Sequence, residues 1–322
     1  MYKFAALVMM HLLAPALVLA QGAAYPSHSV KVIVAVSPGG TPDILARLLS
    51  ARLSQRIGQQ FIVENRVGAG GNIAAELTAK APADGYTLFF PANAVLTLNP
   101  AVYERPGFDP LKDFAPISIM GTGGYYFLAC PSVPAKSMQE LVALAKKQPG
   151  TLSYATAGHG TSHHLAGEML NSMADVRLTH VPYKGFGQGV TDALSCKVDL
   201  IIGAVAGGYP YVKSGRLKAL AVTSASRFGG TPEVPTMIES GFPGFEVEAW
   251  YGLLATARTP RTVIDKLHAE TVAVLKDKDM IDKLREQGLA VVGNSPEEFS
   301  ARIRTELERS AKLVKTLGLK VD

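Results

Sequence analysis

The sequence predicts an α/β protein built as two lobes, each a mostly parallel sheet flanked by helices. Three observations carry this expectation. Strand-like and helix-like patterns alternate almost without interruption, which is the mark of βα units. Once a leader is set aside, about 300 residues remain, more than one hydrophobic core usually serves. Finally, 48% of all residues are hydrophobic, enough to fill two cores.

Residues 1–20 stand apart from the fold. Lys3 gives a short positive start, Phe4 to Ala20 is apolar except for His11, and Val18-Leu19-Ala20 fits a small-residue cleavage site. Ala24 is a second cleavage candidate. The stretch predicts a signal peptide for export to a bacterial periplasm. Its apolar run of about 17 residues is marginal for spanning a bilayer. No Cys follows to carry a lipid, and no later run is long and apolar enough to cross.

The first lobe opens with a strand over 29–36, broken by Ser37-Pro38-Gly39-Gly40. A helix restarts at once, with Leu45, Leu48, Leu49, Leu53 and Ile57 on one face and Gly58 at its stop. A strand over 61–64, a glycine loop, a helix over 73–80 and a strand over 86–90 complete a βαβαβ unit. That unit requires parallel strands and right-handed crossovers. A second series runs from about 125: strand 126–129, helix 138–147, strand 152–155, helix 163–173, strand 177–181, helix 188–194, and strands 198–202 and 217–222. Helical stretches at 263–276, 281–287 and 296–317 follow. They are placed against the first lobe by analogy with other two-lobed α/β proteins. The expected division is therefore 25–124 with about 225–322 as lobe 1 and 125–224 as lobe 2, the chain recrossing between about 221 and 252.

Without the leader, Lys3 is lost, leaving 31 basic residues against 27 acidic ones, a net of +4. Lys and Arg are scattered and no aromatics interleave with them, which argues against a nucleic-acid partner. The mild positive excess suits an anionic ligand. Cys130 and Cys196 could bridge in an oxidising compartment, closing a loop of 66 residues, or remain buried thiols; spacing alone leaves both open.

The loop at 37–43 poses the main chemical question. Thr41 fits an N-cap, Pro42 the first helical position and Asp43 the first turn. Ser37, Gly39 and Gly40 would then leave bare N–H groups and the positive end of a helix for an anion. An ordinary strand-to-helix turn uses the same residues. Gly68, Gly70 and Gly71 before Asn72 repeat the device one βα unit later. They match neither a P-loop nor a dinucleotide fingerprint. Gly158, His159, Gly160 and Thr161 supply it in the second lobe. Two opposed helix starts would suit a carboxylate. Asn93 follows the third strand as a polar cleft residue, and Tyr183 could reach the cleft, while Lys184 is expected to be solvated. Trp250 is expected to pack between the lobes.

His159, His163 and His164 fall within six residues, and His164 and Glu168 are four apart on one helical face. A secreted metal-dependent hydrolase is thus the rival expectation. Against it, His-Glu-x-x-His and Gly-x-Ser-x-Gly are both missing.

In order and spacing, several stretches together resemble the tripartite tricarboxylate transporter substrate-binding proteins, or Bug receptors. They are PGGTPDILAR at 38–47, NRVGAGGNIAAE at 65–76, ADGYTLFF at 83–90, NPAVY at 99–103 and PSVPAKSMQELVALAKKQPGTLSYATAGHGTSHHLAGE at 131–168. Further on come VPYKG at 181–185, LKALAVTSASR at 217–227 and EVPTMIESGFPGFEVEAWYGL at 233–253. The resemblance implies a periplasmic binding protein of the Venus flytrap, type II-like class. Such a protein closes on a small carboxylate (a di- or tricarboxylate, acidic amino acid or aromatic acid) and delivers it to a membrane permease, or signals its presence to a membrane partner. A monomer with no cofactor and no metal is expected, and the resemblance points to Gly39, Gly40, Gly160 and Thr161 first among the ligand-holding residues. Gly203–Gly208 departs from the family, where a more polar, proline-containing segment is common.

Overall fold

The computed structural model describes residues 25–318. The predicted signal peptide and its cleavage candidates lie outside the described residues. Strand β1 (Val30–Val34) is a β-branched run buried on both faces except at Lys31. It pairs in parallel with β2 (Phe61–Asn65) and β3 (Thr87–Phe89), as the βαβαβ pattern requires. Between them lie α1 (Thr41–Ile57) and, after a single 3-10 turn at Ala69–Gly71, α2 (Asn72–Ala79). Helix α1 buries Leu45, Leu49 and Leu53, each worth about 2 kcal/mol. Gly58, left-handed at φ 79°, ends it.

Two short helices that the periodicity did not predict, α3 (Asn93–Thr97) and α4 (Asn99–Val102), lead to β4 (Phe114–Ala129). Only 126–129 of this strand was predicted. Pro116, Gly121, Gly123 and Gly124 disguise the rest, because glycine and proline in a run argue against a central strand. Here the glycines admit other backbone. A Cβ at Gly123 would meet the Gly288 carbonyl at 2.7 Å, and one at Gly124 the Ser224 amide at 2.7 Å.

The second half contains α5 (Met138–Lys147), β5 (Ser153–Thr156), α6 (Ser162–Ala174), β6 (Thr179–Pro182), α7 (Phe186–Leu194), β7 (Leu200–Ala204), α8 (Val205–Lys213) and β8 (Lys218–Val222). Then follow β9 (Glu248–Thr256), α9 (Arg261–Leu275), α10 (Lys278–Glu286), β10 (Ala290–Val291) and α11 (Pro296–Leu317). The strands form one continuous sheet ordered β2-β1-β3-β9-β4-β7-β5-β6, with β8 and β10 also on β4. Its outer strands are parallel and its centre antiparallel: β9 runs against β3 and β4, and β4 against β7 and β8. Strand β9 escaped prediction because Ala249–Ala255 is buried on both faces and shows no alternation.

Strand β4 runs through both halves of the sheet. Its residues 114–124 pair with β9, whereas 125–129 pair with β7 and β8. The returning chain crosses beside it at Thr223, which is fully buried. The Thr223 hydroxyl accepts from the Tyr125 N–H at 2.8 Å and donates to the Val247 carbonyl, tying both crossings together. Thr223→Val keeps the shape and strands both partners. It is expected to lower stability by about 2 kcal/mol, as measured by urea denaturation; an unchanged midpoint would show that the crossings hold without it.

Glycines at 203–208 make room for rings: Phe186 packs on Gly203 and Gly207, and Tyr126 on Gly208. The predicted tail helices do return to the first half, α9 packing on α1 and β4, and α11 on β4, α3 and α4. Trp250 corrects the expectation of interlobe packing. It is fully buried within the first half, edge-on to Phe299 at 4.9 Å, in a cluster with Ile33, Phe89 and Ile303. Its indole N–H donates to Glu306 at 2.8 Å, anchoring α11. Cys130 and Cys196 form a disulfide, with Cα atoms 5.5 Å apart. Among the described residues no helix is long and apolar enough to cross a membrane.

Candidate binding cleft

At the start of α1 the N-cap is Gly40 and Thr41 is already helical, one residue earlier than predicted. The loop glycines are less bare than their sequence suggests. The Gly39 N–H donates to Asp43 Oδ2 at 2.9 Å, and the Gly40 N–H to the Ser37 carbonyl at 3.2 Å. Helix geometry leaves the next amides open: among the described residues, the Thr41 and Asp43 N–H groups have no acceptor. Ser37 and Gly39 are exposed beside them.

Asp43 is buried and acts as a brace for the loop. Besides Gly39 it takes bonds from Arg47 Nε at 3.0 Å and Asn65 Nδ2 at 2.9 Å. Burial alone would raise its carboxyl. The bonds from Arg47, the Gly39 amide and Asn65, with the Arg47 charge, hold it below the ordinary aspartate value instead. A depressed carboxylate stabilises the fold above its unfolded value of about 3.9 and loses that contribution as pH falls through its folded one. Asp43→Asn is therefore expected to cost about 2 kcal/mol at pH 7. In denaturant titrations the gap to the parent should close below about pH 4; a gap equal at pH 7 and pH 3 would deny the brace.

The second helix start follows its prediction more closely. Thr161 is the N-cap of α6; its hydroxyl accepts from the His164 N–H at 3.3 Å and donates to the Gly158 carbonyl at 2.8 Å. Gly158 and Gly160 are left-handed, at φ 123° and 67°. Their amides are also engaged, Gly158 with Thr156 Oγ1 at 3.1 Å and Gly160 with His164 Nδ1 at 3.4 Å. The Ser162 and His163 N–H groups have no acceptor among the described residues.

The two helix starts meet over a pair of tyrosines. The Tyr251 hydroxyl lies near the Thr41 side chain, and that of Tyr125 near the Ser162 side chain. The two phenols lie close enough for Tyr125 to act on Tyr251 electrostatically. Burial pushes both phenols up, so both hydroxyls keep their protons. The His163 ring stands edge-on to Tyr125 at 4.6 Å, and burial holds its imidazole down at about 4, uncharged at neutral pH. Neutral hydroxyls and free amides thus stand at two positive helix ends. They can accept an anion without any cationic side chain. Tyr125, Ser162 and Tyr251 were missed by sequence reasoning. Ser162 could have been found as the residue after a predicted cap, but nothing local marks tyrosines on central strands as neighbours of two helix starts.

The remaining predicted residues are spread more widely. Gly70 is exposed, with its carbonyl taken by Asn99 Nδ2 at 3.0 Å and Tyr103 packed over it. Tyr183 lies beside Gly158, its hydroxyl donating to Asp192 at 2.9 Å. Asn93 donates to the Glu248 carbonyl at 2.9 Å and leaves its buried Oδ1 without a partner. It lines a cavity of about 80 Å³ between α3, α6 and α11, together with Ser162, Glu248 and Arg302.

The histidines regroup. His163 faces Tyr125, while His180 on β6, which sequence reasoning passed over, joins His159 and His164. Glu168 is engaged by the Tyr154 hydroxyl. His164 is held below its ordinary value by burial, against the pull of Glu168. His180 is held at about 3 by burial and by its histidine neighbours.

The model of the tripartite tricarboxylate transporter family receptor matches residues 45–319. A protein from the tcbD-tcbE intergenic region of Pseudomonas sp. strain P51 is 37% identical over 292 residues, covering 90% of this chain and 87% of its own. Among solved structures, Rpa4515 of R. palustris with adipate superposes at TM-score 0.88 with 35% identity, over 92% of this chain and 99% of that one. MatC from Rhodopseudomonas palustris with bound malate gives 0.84 and 30%, over 90% and 100%.

Proposed function

Because the chain belongs to the tripartite tricarboxylate transporter receptor family, we propose that it is a periplasmic receptor that captures a small carboxylate between two lobes and hands it to a membrane permease. The lobes are 25–124 with about 225–322, and 125–224. The protein acts as a monomer after removal of its leader. The observation that carries the reading is the meeting of the α1 and α6 starts at the Tyr125–Tyr251 pair. The free amides of Thr41, Asp43, Ser162 and His163 hold the carboxylate. The four hydroxyls of Thr41, Ser162, Tyr125 and Tyr251 surround it, and Gly39, Gly40, Gly158 and Gly160 let it approach. Closure removes water and strengthens each charge-assisted bond.

The adipate and malate complexes of related structures support a dicarboxylate. These relatives are binding proteins, which supports a receptor over the rival hydrolase. The test is a thermal-shift panel of mono-, di- and tricarboxylates, acidic amino acids and neutral sugars. A matching carboxylate at 100 times its Kd is expected to add about 2.7 kcal/mol, a rise of about 5 °C for a chain of this size. A shift with sugars and none with any carboxylate would end this reading.

A further inference from the structure

The three histidines beside the α6 start come from three separate places. His159 is in the exposed loop after β5, His164 is buried in the first turn of α6, and His180 is half-buried on β6, opposite Tyr154 in the parallel register. One ring nitrogen from each lies within 4.8 Å of the other two. The His164 and His180 rings stack at 4.0 Å, and His159 stands nearly perpendicular to both, with its centroid 5.4 and 4.9 Å away.

We propose that His159, His164 and His180 form a binding site for a divalent transition-metal ion of the zinc type, held by three imidazole nitrogens with a fourth position open to solvent. Three neutral nitrogen donors without a carboxylate favour zinc, nickel or copper over magnesium or calcium. The surroundings are those of a built site. His180 Nε2 is fixed by the Thr156 hydroxyl at 2.7 Å, which leaves Nδ1 for the ion, and outer partners of this kind orient ligating imidazoles. The Gly160 contact to His164 Nδ1, 3.4 Å long, competes only weakly for that ring. Nitrogens sharing one tetrahedral zinc sit about 3.3 Å apart, so binding draws the trio together by about an ångström and turns the stacked rings out of parallel. His159 supplies most of that movement, because it is exposed on a loop between two left-handed glycines. The site stands apart from the carboxylate reading, since it needs neither tyrosine and none of the four free helix amides.

The experiment is calorimetric titration of zinc sulfate into tag-free, chelator-treated protein, with magnesium chloride as the control. One equivalent of zinc is expected to bind, with affinity falling tenfold or more in His159→Ala and in His180→Gln, and magnesium giving no heat. His159→Ala decides the matter even should His180→Gln fail to fold, because an exposed loop side chain supports no packing. Cobalt(II) in place of zinc should show the visible absorption of tetrahedral nitrogen coordination, lost in the same variants. Absence of stoichiometric zinc uptake, or an unchanged affinity in His159→Ala, overturns the proposal.

Discussion

Gly39→Asp is expected to weaken carboxylate binding a hundredfold or more, while Gly39→Asn weakens it less than about fivefold. The pair isolates charge from shape. Gly39 sits at φ 84°, a region that Asn and Asp enter more readily than other side chains. A Cβ there meets no atom within 4 Å, so neither variant crowds its neighbours. The aspartate, however, sets a negative charge one residue before the N-cap of α1, where its oxygens can take the Thr41 and Asp43 amides themselves. A unit charge about 4 Å from a bound carboxylate, at an effective dielectric near 20, costs roughly 4 kcal/mol, and a hundredfold loss corresponds to about 2.7. Calorimetric titration with the best ligand of the panel measures it, beside a melting curve, because the new charge also faces Asp43. Equal affinities for the two variants would remove the α1 start from the binding site.

The second large effect belongs to the Cys130–Cys196 bridge. It joins the end of β4 to the turn after α7 and closes a loop of 66 residues. Fixing a loop of that length removes chain entropy from the unfolded state worth about 4 kcal/mol. The Cys130→Ser/Cys196→Ser double variant is therefore expected to melt about 8 °C below the parent. Adding a reductant should narrow that difference by lowering the parent alone. If the double variant melts within a degree of the oxidised protein, the bridge contributes nothing to the native balance.

The outer strands and most long helices were legible in the sequence because they rest on local signals: a β-branched run, a 3.6-residue apolar stripe, a glycine stop. The centre of the sheet was not. β9 and most of β4 are buried on both faces, and the glycines of β4 answer to residues 100 to 169 positions later. The site shows the same division. The helix starts at Gly39–Asp43 and Gly158–Thr161 could be found from their glycine and cap residues. That Gly39 and Gly160 give their amides to Asp43 and His164 is a matter of side-chain reach that spacing does not reveal. Tyr125 and Tyr251 come to the two helix starts only because antiparallel pairing brings β4 and β9 together, and His180 joins its partners only through the β5–β6 register.

Trp250 and Phe299 stand against Ile33 and Phe89, which precede them by well over a hundred residues. A nascent polypeptide has β1 and β3 in hand but lacks the indole and the ring that seal them. The earliest strands must therefore wait, adhesive and unsealed, until the last helix emerges. Closing of the first half is thereby tied to completion of the chain.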